Sequence, residues 1–294
     1  MSNAFPVLRK HPELEGKKFL IGIGASKCGT SWLYRYLQTL PEVTVSPLKE
    51  VHFFDRKYSK FAVEPIDTLS LRRVEQYLGA NVDLVKQLER NPHFQASVDR
   101  LQMMYDDNAY LSHFARISED TTKTLVDITP AYAVIGENGF REMQHYCNSQ
   151  NALLNIVFIM RDPVDRLWSQ LRHTQQRHPD MDVAKGWSDM ICDESIIKRT
   201  DYRATIEALD EVFPQYQVSY LFYENLFSEE THRDICRIAD AEFKAADADT
   251  RQNETTVKLP ISKEIHERLY ELLEPQYHYC KQRFGDALPS AWSG

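Results

Sequence analysis

The sequence predicts an α/β fold: one domain with a central parallel sheet flanked by helices, interrupted by a helical insertion. Three observations predict it. Short apolar runs alternate with amphipathic helical patterns along the chain, as expected of strands joined by crossover helices. The run Leu153–Met160, LLNIVFIM, is apolar without alternation, as a parallel strand covered on both faces must be. The first strand, in Phe19–Trp32 (FLIGIGASKCGTSW), passes through a glycine-containing loop directly into a helix.

Residues 1–16 are polar, carry two prolines and read as an N-terminal arm before a domain spanning 17–290. Lys18–Gly24 reads as a buried strand. Ser31–Leu40 reads as a helix with Leu33, Tyr36, Leu37 and Leu40 on one face, stopped by Pro41. Val43–Val45 is a short second strand. Residues 61–120 lack a strand signal and read as a helical insertion or lid, packed down by Tyr77, Leu78, Val85, Leu88 and the segment Tyr110–Phe114. Strands return at Thr124–Ile128 and Leu153–Met160, and after the second Asp162 is a good N-cap with Pro163 at the first helical position. A helix over Asp201–Phe213 carries Tyr202, Ile206, Leu209 and Phe213 on one face. Gln217–Phe222 is a further strand, Ser228 caps a helix through Ala239, and Ile261–Leu273 is an amphipathic helix that ends before Pro275.

Composition is ordinary for a globular chain, 43% apolar and 27% charged. The net charge of −8 sets the bulk field against nucleic acid and acidic membrane surfaces, although local basic patches stay open. The five cysteines, Cys28, Cys147, Cys192, Cys236 and Cys280, are odd in number and form no C-x-x-C pair, which argues for reduced thiols and against a zinc site. The sequence has no apolar run of about 18 residues and no secretory apolar segment, so the expected location is cytoplasmic.

The loop Lys27-Cys28-Gly29-Thr30-Ser31-Trp32 is an anion site by its construction. Backbone N–H groups at a helix start point outward, the helix dipole favours negative charge, and Lys27 adds a full positive charge. It is P-loop-like but not a Walker A motif, because the lysine precedes Gly29 instead of following it. Gly29 permits close backbone approach, and Thr30 and Ser31 are placed to cap the helix and donate hydroxyl bonds. The alternative is an ordinary strand-to-helix turn with a solvated lysine. Arg161 leaves the end of the long strand and Ser169 follows eight residues later, about two helical turns, so both reach the carboxyl edge of the sheet, where a second phosphate would sit. The plain alternative is that Arg161 only pairs with Asp162 or Asp165. In Lys49–Asp55, KEVHFFD, Glu50 between Lys49 and His52 suits a general base; the alternative is a loop glutamate paired to Lys49, with Phe53 and Phe54 in the core.

Together the two anion elements resemble those of the sulfotransferases that use 3′-phosphoadenosine 5′-phosphosulfate, whose loops read K-x-G-T-[ST]-W and R-D-P-x-x-R-x-x-S. The chain has both, the second as Arg161-Asp162-Pro163-Val164-Asp165-Arg166-Leu167-Trp168-Ser169. The likeness continues through TPAYAV (129–134), the Tyr202 helix and YLFYENL (220–226), covering about 18–230. KEVHFFD is similar to the stretch of the heparan-sulfate-type O- and N-sulfotransferases that carries the proposed base. The resemblance implies sulfuryl transfer to a hydroxyl or amine, carbohydrate among the options, with the desulfated 3′-phosphoadenosine 5′-phosphate (PAP) as product and no metal.

It implies Glu50 as base with His52 assisting, and Lys49, His52 and Asp55 near the acceptor. Lys27 then stands on the bridging oxygen. Amides of 28–31 and the hydroxyls of Thr30 and Ser31 hold the 5′-phosphate, and Arg161 and Ser169 hold the 3′-phosphate. Trp32 either stacks on adenine or anchors the core. Two departures stand out: Asp127-Ile128 where the heparan-type group often has a lysine before T-P, and no R-K-G triplet, for which Arg251 and Lys258 are the tail candidates. Arg72, Arg73, Lys86 and Arg90 of the insertion either grip an acidic acceptor or form a solvated face. Two rival functions remain open: a P-loop kinase or NTPase using Asp127 as its magnesium carboxylate, and a non-catalytic nucleotide-binding module. The oligomeric state is open as well.

Overall fold

The computed structural model describes residues 5–59, 61, 65–79, 82–246 and 257–292. Five strands, β1 (Lys18–Gly24), β2 (Val43–Val45), β3 (Thr124–Ile128), β4 (Leu153–Met160) and β5 (Val218–Phe222), form one all-parallel sheet in the order β2-β3-β1-β4-β5. β1 is central: Phe19, Leu20, Ile21 and Ile23 are buried, and the chain departs to opposite sides of it to build the two halves of the sheet. Because every pairing is parallel, all five carboxyl ends open on one edge, with the switch in strand order at β1 and β4.

α1 (Thr30–Leu37) follows β1 and α2 (Phe53–Tyr58) follows β2. The insertion is helical, as α3 (Ile66–Glu75), α4 (Leu84–Arg90), α5 (Pro92–Gln102) and α6 (Ala109–Ile117). α7 (Gly136–Ser149) connects β3 to β4. Beyond β4 lie α8 (Pro163–Arg177), α9 (Val183–Met190), α10 (Glu194–Ile197) and α11 (Tyr202–Val212), and beyond β5 α12 (Glu229–Ile238) and α13 (Lys263–Phe284). Asp162 caps α8 by accepting the Asp165 N–H and Ser228 caps α12, as their positions predict, and Asp201 caps α11.

Two helices differ from expectation. α1 stops at Leu37, and its N-cap is Gly29 in the left-handed region (φ 82°) with no side-chain cap, so Thr30 and Ser31 are the first helical residues, not caps. α13 runs through Pro275 to Phe284. Pro275 and Glu271, the residue whose carbonyl loses its partner, both face solvent, while the buried stripe Leu269, Leu273, Tyr277, Cys280 continues past them. Burial of Tyr277 and Cys280 offsets the proline's cost of about 3 kcal/mol.

Phe53 and Phe54 are core residues: Phe53 stacks on Tyr110 at 4.9 Å and Phe54 meets Tyr132 and Tyr146 edge-on. The insertion grips the segment after β2. His93 Nδ1 donates to the Pro47 carbonyl (2.8 Å), Arg100 to the Glu50 carbonyl (3.2 Å), and Ser46, His113 and Asp99 form a bonded row (2.9 and 2.7 Å). That row has the order of a hydrolase triad, but Ser46 is 1% exposed and does not face the cleft, so it serves as a clamp. The five cysteines are free thiols, four buried and Cys192 exposed. Among the described residues no helix is long and apolar enough to cross a membrane.

Candidate active site

A cleft of about 1310 Å³ opens at the carboxyl edge of the sheet, and the loop after every strand contributes to it. Lys27 and Gly29 come from β1, Glu50 and His52 from β2, Pro130 and Ala131 from β3, Arg161 from β4, and Tyr223 and Glu224 from β5.

One half is the anion loop. Lys27 (φ 69°) and Gly29 are both left-handed, which turns the chain sharply before α1 and leaves the first N–H groups of the helix without intrahelical partners. Gly29 has no room for a side chain: a Cβ would stand 2.5 Å from Leu226 Cδ2 and 3.2 Å from Tyr223 Cδ2. Thr30, Ser31 and Trp32 line the cleft. Cys28 does not; its N–H donates to the Ala25 carbonyl (3.3 Å) and its thiol is buried beside the Tyr202 hydroxyl (3.9 Å), where burial lifts it to about 12. The Cys28 amide, expected from the sequence to serve the anion, thus closes the turn of the loop. Lys27 is lowered to about 8, first by burial and then by Arg172, Arg161 and Lys49. Trp32 is 4% exposed and packs with Tyr36 (5.1 Å, nearly parallel), His232 and Phe227, so it anchors the core as well as edging the cleft.

Arg161 is fixed through its backbone: the Tyr202 hydroxyl donates to its carbonyl at 2.8 Å and accepts its N–H at 3.3 Å. The next N–H, of Asp162, donates to Glu224 (2.9 Å). The Arg161 guanidinium pairs with Asp165 (3.0 Å) and lies over the Tyr223 ring (4.6 Å). Asp165 is 57% exposed, so this pair is weak and readily exchanged for a phosphate. Ser169 lies on the same wall two turns along α8.

The other half is a row of alternating charges. Lys49 Nζ meets Glu50 at 2.6 Å, Glu50 meets His52 Nε2 at 3.4 Å, and His52 Nδ1 meets Asp55 at 2.8 Å. Burial acts on both central groups, but the partners outweigh it: Lys49 and His52 hold the Glu50 carboxyl far below its usual range, and Asp55 and Glu50 raise His52 to about 9. Glu50 (φ 66°) and His52 (φ 59°) are left-handed, at about 1–3 kcal/mol each.

The structure adds residues that the motifs do not name. Ser26, Arg73, Arg172, His173, Arg177 and Arg199 line the cleft. Arg172 and His173 were within reach of sequence reasoning, since they follow Ser169 by three and four residues on one helix face. Arg199 stands on a short turn with no pattern to flag it. Of the insertion's cations Arg73 reaches the cleft, whereas Lys86 and Arg90 are exposed elsewhere. Lys258 lines the cleft, and Arg251 lies outside the described residues. Asp127 is fully buried on β3, accepts three hydroxyls and does not line the cleft, so it is not a magnesium carboxylate. Among the described residues no group of three His, Cys, Asp or Glu is arranged to hold a metal ion.

A parallel sheet whose central strand ends in a lysine-bearing anion loop, facing an arginine after the next strand, defines a class of enzymes that handle phosphorylated donors. Residues 20–245 match the Sulfotransferase family, and the chain belongs to it. The fold is similar to that of a sulfotransferase from Alicyclobacillus acidocaldarius, at 18% identity, 95% of this chain, 99% of that one and a TM-score of 0.63. It is also similar to the sulfotransferase domain of the Synechococcus PCC 7002 olefin synthase (16% identity, 92% and 98% covered, TM-score 0.50). A third likeness is to a sulfotransferase domain of the curacin biosynthetic pathway (15%, 89% and 98%, 0.51). No curated protein matches the chain.

Proposed function

We propose that this enzyme moves the sulfuryl group of 3′-phosphoadenosine 5′-phosphosulfate onto a hydroxyl or amine, with Glu50 as general base. One observation carries the reading. Five non-glycine residues among those described have positive φ, and three of them, Lys27, Glu50 and His52, stand in one cleft, Lys27 and Glu50 being types that adopt it rarely.

The acceptor oxygen or nitrogen attacks sulfur, the bond from sulfur to the bridging oxygen breaks, and its electrons pass to the 5′-phosphate. Lys27 donates to that oxygen as its charge grows, and the amides of 29–31 with the hydroxyls of Thr30 and Ser31 hold the phosphate. Arg161 and Ser169 hold the 3′-phosphate, Lys258 adding charge beside them, and Trp32 borders the nucleotide. The lysine and the helix dipole supply the neutralisation, and no step calls on a metal. Glu50, kept strongly acidic by Lys49 and His52, takes the acceptor's proton late, when bond formation to sulfur has made that proton acidic. His52 and Asp55 orient it, as the likeness to the heparan-type group suggests. Arg73, Arg177, Arg199 and Lys49, which line the same cleft as Glu50, favour an acceptor with an acidic group, such as an acidic carbohydrate.

The test compares PAP with magnesium-ATP by thermal shift. PAP at about one hundred times its Kd adds about 2.7 kcal/mol, and Arg161→Ala abolishes this. Glu50→Gln keeps the shift and loses most PAP release with acidic-sugar acceptors. Stabilisation by magnesium-ATP alone overturns the donor assignment; near-normal turnover of Glu50→Gln overturns the base.

A further inference from the structure

Asp127 has no part in the chemistry above, yet it is the most heavily bonded carboxylate behind the site. Its Oδ1 accepts the Thr129 hydroxyl at 2.6 Å, and its Oδ2 accepts those of Tyr132 at 2.9 Å and Tyr110 at 3.2 Å. An ionised carboxylate only accepts, so all three hydroxyl protons are committed inward. The oxygens of two of these hydroxyls then turn lone pairs toward the loop that carries the base. Thr129 Oγ1 accepts the Val51 N–H at 2.9 Å, and the Tyr132 hydroxyl oxygen accepts the Phe53 N–H at 3.1 Å. Val51 and Phe53 are the two chain neighbours of His52, the left-handed residue that touches Glu50.

We infer that Asp127 is a positioning residue: its charge sets the direction of two hydroxyl relays, one on each side of His52, which hold His52 left-handed and its Nε2 against Glu50. This rests on the assignment of Glu50 and His52 above. An asparagine cannot replace Asp127. Its amide N–H groups would face the Tyr132 and Tyr110 hydroxyl protons, Tyr132 would reverse its hydroxyl, and the Phe53 N–H would meet a proton instead of a lone pair. Burial raises the Asp127 carboxyl to about 6 against its three donors, so the relays keep one direction from neutral pH upward.

The charged groups around His52 are Glu50 of its own loop with Lys49 paired to it, Asp55 of α2, Asp127 behind it, and Arg100 of α5 and Arg199 of the turn before α11, both beside Glu50 and Asp55. Tyr132→Phe leaves all of these charges in place and removes one relay. The experiment follows the His52 imidazole by nitrogen NMR in the PAP-bound protein between pH 7 and 10, with His52→Asn assigning the signal. The wild-type midpoint is expected well above the ordinary 6.5, since Asp55 and Glu50 raise His52 to about 9 in the free protein. Tyr132→Phe lowers it by about one unit, a roughly tenfold loss of proton affinity, and Asp127→Asn lowers it further. Thr129→Ser, which keeps the hydroxyl, leaves it in place, and all variants bind PAP within about twofold of wild type. An unchanged midpoint in Tyr132→Phe overturns the inference, and that variant decides alone where Asp127→Asn does not fold. Glu50→Gln separates the two levels. If it leaves the midpoint unmoved, the Glu50–His52 pairing is wrong; if it lowers the midpoint while Tyr132→Phe does not, only the relay is wrong.

Discussion

Gly29→Ala tests the anion loop without touching a charge. An alanine at φ 82° pays the left-handed penalty of about 1–2 kcal/mol. Its Cβ also arrives 2.5 Å from Leu226 Cδ2, over an ångström inside contact distance, and Leu226 is completely buried. Overpacking of that kind costs about 1–3 kcal/mol, so the sum is about 2–5 kcal/mol. The assay is a double-mutant cycle by urea unfolding. In a Leu226→Ala background the 2.5 Å clash is gone, and the backbone cost and the 3.2 Å approach to Tyr223 remain, giving a coupling energy of about 1–3 kcal/mol. Gly29→Ala also weakens PAP binding, because relaxing φ rotates the N–H groups of the first turn. A substitution costing under about 0.5 kcal/mol in both backgrounds, with PAP binding intact, refutes the argument that this position demands glycine on two counts.

Lys27 has a folded pKa of about 8 against an ordinary 10.5. Below pH 8 it is charged in both states and the cost of burying that charge is felt in full. Above 8 the folded state sheds the proton first, so the free protein gains stability between about pH 8 and 10.5, and Lys27→Met removes that gain in thermal unfolding across the window. PAP brings negative charge to the lysine, so binding near pH 8.5 takes up a proton, seen as a calorimetric enthalpy that varies with the buffer's heat of ionisation. Pro275→Ala restores a bond to the exposed Glu271 carbonyl and raises stability by about 1 kcal/mol in urea unfolding; a loss instead would mean that the proline's fixed φ outweighs the missing bond.

Much of the fold was legible because its signals are local. The bounds of β1, β2, β3 and β4 follow from runs of apolar side chains, and Asp162 and Ser228 cap the helices that their types and positions announce. The two anion motifs and Glu50-Val51-His52 were legible as residues, and the structure brings their cleft-facing members to one sheet edge. The parts that were not legible are long-range. Nothing in Lys27-Cys28-Gly29 shows that the Cys28 amide closes a turn on Ala25. Arg199 reaches the cleft from a turn far along the chain, and the Asp127 hub binds a loop some 75 residues earlier through the hydroxyls of Thr129 and Tyr132, both just after β3. α13 passes its proline because buried partners at Tyr277 and Cys280 outweigh a local rule.

The distribution of thiols has a practical side. Cys28, Cys147, Cys236 and Cys280 are enclosed, and Cys192 stands in the open between the end of α8 and the turn that carries Arg199. A maleimide dye offered to the native chain therefore attaches at one natural position, on the segment that leads to Arg199 in the cleft, while the enclosed thiol of the anion loop is spared. The unaltered sequence thus comes supplied with a fluorescence handle, and a library of candidate acceptors can be titrated against it without a turnover assay.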